Sequence, residues 1–209
     1  MAVADRINGA ARRVPAWTIY IVTALWAGWE FFQAATQQAE YLVEPINVLE
    51  RTYGEAALIL LVAGLCVTPL RKFAGVNLLK FRRAIGVSAF FLVLAHFLVW
   101  AVLDVQSVSR IWADIVKRPY VTVGMAAFLM LIPLALTSNN WAVRKLGALR
   151  WRSLHKLTYP AAVLGGVHYL WLVKGFQIEP ILYLAGIVGL LALRVSWQKR
   201  RTQVAAPSR

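Results

Sequence analysis

Six stretches of this chain run for roughly 17–25 residues almost without charge, and that decides where it can fold. They fall near Val14–Gln33, Tyr53–Leu70, Ala84–Leu103, Tyr120–Leu136, Leu154–Val173 and Pro180–Trp197. At ~1.5 Å rise per residue, each is long enough to cross a ~30 Å hydrocarbon core as a helix. Lipid offers no water to unpaired backbone groups, so only helices or a closed barrel can span it. The runs are continuous rather than alternating, which excludes the barrel. Composition agrees: 60% of residues are hydrophobic and 15% charged, against about 45–50% and ~25% in soluble domains. The expected fold is an all-α integral membrane protein, a six-transmembrane-helix bundle forming one membrane domain over residues 1–209.

The first run follows a basic leader (Arg6, Arg12, Arg13), but it exceeds the usual 7–15 apolar residues of a signal peptide. It also carries Trp17, Trp26 and Trp29, so we expect it to be retained as a membrane helix. Pro69 and Pro133 fall near the ends of their spans. Pro160 lies early in the fifth, where neighbouring helices can compensate for it.

Six spans put both termini on one side and make the loops alternate. The 23 basic residues then divide 18 to 5, and the 9 acids 1 to 8. The terminal side carries +17, with Asp5 its single acid, and the other side −3, recovering the net +14. Short basic loops stay cytoplasmic, so both termini are expected inside. The basic residues are scattered over four juxtamembrane segments instead of forming one patch, which excludes nucleic acid as the reason for the charge.

Between spans, Val108, Ile111, Trp112, Ile115 and Val116 recur at helical spacing, predicting an amphipathic helix over Ser107–Arg118 at the outer interface. Thr137-Ser-Asn-Asn140 is a run of helix-capping residues before a short inner helix closed by Gly147. Tyr41–Glu50 and Ser107–Arg118 carry acids beside aromatics and are expected partner-docking surfaces. The single cysteine, Cys66, excludes disulfide frameworks and cysteine-ligated clusters. No Cys-x-x-Cys-His, G-x-G-x-x-G or G-x-x-x-x-G-K-[ST] motif occurs.

Three histidines remain, His96, His155 and His168, each in or at the edge of a span, where ionisable groups are costly and usually functional. The third and fifth spans run in the same direction. His96 lies thirteen residues beyond Arg83, and His168 thirteen beyond His155. Thirteen residues advance a helix about 20 Å. His96 and His168 therefore belong at one depth toward the outer face, and His155 near the inner face. Two imidazoles from facing helices are what a bis-histidine haem b needs. Zinc fits less well, because no Asp, Glu or Cys accompanies them at helical spacing. The alternative for each histidine is a plain interhelical hydrogen bond. A second haem through His155 would need another ligand, since Arg82 and Arg83 stand at its depth on the third span. On an ideal helix, moreover, His155 and His168 lie about 140° apart.

Several segments together resemble a known family. They are Arg82-Arg83, Ala95-His96-Phe97, Lys117-Arg-Pro-Tyr-Val-Thr-Val-Gly124, Thr137-Ser138, Arg144-Lys-Leu-Gly147, Trp151-Arg-Ser-Leu-His-Lys-Leu-Thr-Tyr159 and His168-Tyr-Leu-Trp171. The pattern, spanning about 53–197, is similar to the MsrQ family, haem-binding membrane subunits of periplasmic methionine sulfoxide reductase systems in the ferric-reductase-like transmembrane group. The resemblance implies that His96, His155 and His168 are the haem-associated, metal-ligating histidines. It also implies a bound FMN, for whose phosphate Arg144, Lys145, Arg150 and Arg152 are candidates, the alternative being that these charges only set topology. It implies a periplasmic molybdopterin-containing methionine sulfoxide reductase as partner, and a cytoplasmic flavin reductase or the quinol pool as electron donor. The chain lacks the second third-span histidine and the soluble flavin-nucleotide domain of the wider group.

The expected function is thus electron transfer through haem b to a separate catalytic subunit that repairs oxidised methionine. Two other classes stand beside it: a stand-alone membrane ferric or quinone reductase, and a cofactor-free helical transporter or scaffold.

Overall fold

The computed structural model describes residues 2–173 and 175–204. Lys174 and Arg209, which are counted in the charge division above, lie outside the described residues. Those described are helical with short connections, and no strand occurs among them.

The chain opens with a polar amphipathic helix, α1 (Ala2–Arg13), followed by α2 (Thr18–Ala35). α3 (Pro45–Phe73) and α4 (Arg82–Leu98) come next, the latter continued by a π-helical segment, Val99–Val105, that closes at left-handed Gln106. The short α5 (Val108–Lys117) leads into α6 (Pro119–Leu136). Two short helices of about two turns each, α7 (Asn140–Leu146) and α8 (Ala148–Leu154), precede α9 (Thr158–Leu172) and α10 (Ile178–Val204). Among the described residues, three helical stretches are long and apolar enough to cross a membrane: Pro45–Phe73, Leu79–Val105 and Pro119–Leu136. The chain is a multi-pass membrane protein.

The bundle is built on two helix pairs, α3 against α4 and α6 against α9, with α10 and α2 packed on the outside. Small residues let the backbones approach, as is usual where lipid removes the hydrophobic incentive. Ala57, Ala89, Ala161 and Ala162 are buried to 1% exposure or less. Around them pack Leu58, Leu61, Leu65, Leu131 and Ile187.

The two short helices expected between the long ones form where the sequence places them. α5 covers Val108–Lys117. Asn139 caps α7 by accepting the Ala142 N–H at 2.8 Å, and Gly147 ends it at φ +75°. Three expectations need correction. First, α3 starts at Pro45, eight residues before Tyr53. Proline's fixed φ favours the first helical position, and Leu49, Tyr53 and Ala57 then share one buried face. Second, Tyr41 is fully buried and donates its hydroxyl to Glu30 Oε2 at 2.8 Å, so the segment Tyr41–Glu50 turns its aromatic residue inward and exposes Leu42 and Val43 instead. Third, the fifth long helix begins at Thr158 and not at Leu154, after a tight turn at His155–Leu157. Pro160 has no N–H and its ring clashes with the carbonyl four residues back, so the helix cannot run through from α8. α1 was not foreseen, because a polar helix has no apolar run to announce it.

Candidate functional site

Near the end of α4 and near the end of α9, His96 and His168 face each other across the bundle. Their ring centroids are 6.1 Å apart and the planes meet at 77°. The equal depth inferred from counting residues is what the structure shows.

Each ring is held in the same way by a neighbouring helix. His96 Nδ1 lies 2.8 Å from the carbonyl oxygen of Glu50 on α3, and His168 Nδ1 lies 2.7 Å from that of Tyr120 on α6. A carbonyl can only accept, so Nδ1 carries the proton and donates in both cases. Nε2 is left with its lone pair, the state in which imidazole binds metals. Four residues beyond each carbonyl stands a glycine, Gly54 or Gly124, against which the imidazole lies. A Cβ at Gly54 would sit 3.0 Å from His96 Nδ1, and one at Gly124 only 2.8 Å from His168 Nδ1. The sequence reading missed both glycines. The signal was there as an isolated glycine inside an apolar helical run, which marks close approach of something to the backbone.

The separation of the rings has a chemical meaning. Two imidazoles sharing one metal ion need ~2.0 Å of metal–nitrogen bond each, plus about 1 Å from nitrogen to ring centre, or about 6 Å between centroids. Among the described residues no group of three or more His, Cys, Asp or Glu gathers here or elsewhere to hold a metal. Two nitrogen donors alone suit a centre whose other ligands come from a bound macrocycle. The Tyr120 ring lies 6.4 Å from that of His168, and between α4 and α6 Phe97 stacks on Phe128 at 5.1 Å and Phe90 on Phe128 at 6.1 Å.

His155 lies at the opposite end of the bundle and does not join this pair. Its ring stacks on Trp151 at 3.9 Å, and its Nε2 is 3.1 Å from Thr137 Oγ1. That hydroxyl donates to the Pro133 carbonyl at 2.6 Å, so His155 Nε2–H is the donor between them. Trp151 Nε1 in turn donates to the Thr137 carbonyl at 2.8 Å. The charges of Arg82 and Arg83 act on His155, as their depth on the third long helix implied. Arg144, Lys145, Arg150 and Arg152 are exposed on α7 and α8. Arg152 Nε turns back to the Ala148 carbonyl at 3.0 Å, and Lys145 covers the Trp141 ring at 4.7 Å. Among the described residues, no contact draws these four cations onto one point.

Helices paired around two facing histidines in a membrane bundle offer two imidazole nitrogens to one centre. The family described as "Ferric reductase like transmembrane component" matches residues 53–166. Among curated proteins, the chain is similar to those of Brucella ovis, Brucella canis and Brucella melitensis biotype 2, each named protein-methionine-sulfoxide reductase heme-binding subunit MsrQ. With each it shares 43% identity over 191 residues, 91% of this chain and 86% of the relative. No solved structure matches it. The chain belongs to the ferric-reductase-like transmembrane family and, within it, to the MsrQ proteins.

Proposed function

We propose that the chain is the haem b electron-transfer subunit of a protein-methionine-sulfoxide reductase system. The observation that carries this reading is the matched histidine pair, 6.1 Å apart with both Nδ1 atoms committed to backbone carbonyls. Haem fits these residues. His96 and His168 would hold it through Nε2, and Gly54 and Gly124 give the imidazoles their seats. When bound, haem supplies one-electron redox chemistry at a potential set by its ligands and surroundings. The chain's own residues do the rest. The Glu50 and Tyr120 carbonyls orient the rings and raise their basicity, while Phe90, Phe97 and Phe128 keep the environment apolar. With two protein nitrogens offered to it, the group would serve one-electron transfer.

In this reading, α2, α3, α4 with its π-helical extension, α6, α9 and α10 are the six spans of a single domain. Both termini are cytoplasmic in a bacterial inner membrane, supported by the +17 to −3 division of charge. The histidine pair then lies toward the periplasm, where a molybdopterin-containing methionine sulfoxide reductase accepts the electrons. Sulfoxide reduction consumes two electrons per sulfur, so a one-electron carrier delivers them in sequence. Reducing equivalents come from a cytoplasmic flavin reductase or from quinol, because the chain carries no nucleotide-binding motif. FMN is the second cofactor, with Arg144, Arg150 and Arg152 as phosphate candidates on the side where His155 lies. His155, its Nε2 bonded to Thr137, is associated with that inner end and not with the outer pair.

A reduced-minus-oxidised spectrum of the detergent-solubilised protein tests this directly. We expect b-type bands that disappear in His96→Ala and His168→Ala and persist in His155→Ala. A colourless wild-type protein overturns the reading. The family's own description favours one second reading, a stand-alone ferric reductase. It predicts reduction of soluble iron chelates by the isolated chain with no periplasmic partner present.

A further inference from the structure

Far from the histidine pair, α1 folds back onto the turn between α3 and α4 and closes a cleft of about 480 Å³. Arg12 of α1, Arg71 at the end of α3 and Lys80 line it, together with Asn8 and Asn77. Three tertiary hydrogen bonds hold the walls together. Asn8 Nδ2 donates to the Gly75 carbonyl at 3.0 Å, and Asn8 Oδ1 accepts the Asn77 N–H at 2.7 Å. Lys80 Nζ donates to the Arg12 carbonyl at 3.1 Å. Gly75 makes the turn possible at φ +67°, a conformation strained for any side chain.

The charge balance here is unusual. No Asp or Glu lines the cleft, and among the described residues none of these three cations forms an ion pair. The fold brings Arg12, from a segment about sixty residues away, to line the same cleft as Arg71 and Lys80. Such an arrangement is unfavourable alone and becomes favourable once an anion sits between the cations. Guanidinium groups match the geometry of phosphate oxygens, and carboxamides add neutral donors. Ala11 and Leu79 supply an apolar margin.

We propose that this cleft binds the phosphate group of an anionic ligand, either a phospholipid headgroup or a soluble phosphomonoester. Lipid is the closer source if the charge topology holds, since the cleft then opens at the cytoplasmic interface. The phosphate chemistry does not depend on that topology. Bound phosphate joins α1 to the α3–α4 turn and offsets part of the positive charge of Arg12, Arg71 and Lys80.

Two probes separate the sources: native mass spectrometry with phosphatidylglycerol or phosphatidylcholine, and thermal melting with inorganic phosphate at constant ionic strength. Both use the haem-loaded protein. Wild type should retain phosphatidylglycerol over phosphatidylcholine, or melt higher in phosphate. Arg12→Gln/Arg71→Gln should weaken that response at least tenfold, and Asn8→Ala, which frees α1, should weaken it less. Arg6→Gln/Arg13→Gln removes equal charge outside the cleft and should keep it. Response to phosphatidylglycerol alone assigns a headgroup; displacement of that lipid by phosphate assigns a soluble ligand. A wild type that answers neither probe, or a control double variant as weak as the cleft variant, overturns the proposal. Haem content should stay at the wild-type level in all four proteins, so failure here is distinct from failure of the haem reading.

Discussion

Replacing Gly124 with alanine should detach the haem while leaving the fold in place. The added Cβ would stand 2.8 Å from His168 Nδ1 and 3.0 Å from its Cε1, whereas ordinary contact starts at 3.4 Å. The ring must therefore retreat by the difference, about 0.6 Å, or α6 must move away from α9. His168 cannot give way freely, because its Nδ1–H is bonded to the Tyr120 carbonyl at 2.7 Å on the same helix. Stretching that bond costs about 1 kcal/mol and overpacking a further 1–3 kcal/mol. The larger effect falls on the ligand atom: 0.6 Å is nearly a third of a ~2.0 Å metal–nitrogen bond. Supporting-residue changes of this kind typically reduce metal affinity 10–100-fold, and we expect Gly124→Ala to lie in that range. Gly54→Ala asks only about 0.4 Å of His96, from 3.0 to 3.4 Å, and should lose less. Gly86→Ala on α4 meets nothing within 4 Å and serves as control. The assay is haem per protein by pyridine haemochrome, with far-ultraviolet circular dichroism to confirm the helices. Full haem content and an unchanged spectrum in Gly124→Ala would refute the account of the glycine seat.

Three further outcomes are expected. Thr137→Val deprives His155 Nε2–H of its acceptor at nearly constant volume and should cost about 1–3 kcal/mol of stability, read as a lower melting temperature with the b-type spectrum expected of the wild type unchanged. Arg194 donates to the Tyr159 hydroxyl at 2.9 Å and to the Leu65 carbonyl at 2.8 Å, tying α10 to α9 and α3. Arg194→Met should lower stability by about 3 kcal/mol, and melting equal to wild type would show that packing alone holds α10. Burial pushes the Tyr41 hydroxyl up to about 12. Because this is above the unfolded value, the stabilisation is complete below pH 10 and is lost as pH rises toward 12. Tyr41→Phe should flatten that part of the melting-temperature profile, and an unchanged slope counts against a buried, protonated Tyr41.

Much of this was legible without coordinates because membrane insertion acts on single helices. Apolar length and flanking charge are local properties, so the long helices, the interfacial α5 and the capped α7 could be placed from residues alone. The depth of His96 and His168 was legible for the same reason: a fixed rise per residue converts counting into height. Counting cannot give rotation about the helix axis or the distance between axes. That is why Tyr41 read as surface although it packs inward, and why the fifth long helix read as starting at Leu154 although it begins at Thr158.

The sequence by itself therefore determined an all-helical membrane chain, the asymmetry of its charges, and two histidines on different helices at one level. Tertiary structure alone decided that their rings stand 6.1 Å apart, that Glu50 and Tyr120 fix their protons, and that Gly54 and Gly124 make room for them. It also decided that α1 closes a basic cleft against Gly75. Those features depend on contacts between residues about forty to seventy positions apart, and such contacts follow from how the helices pack.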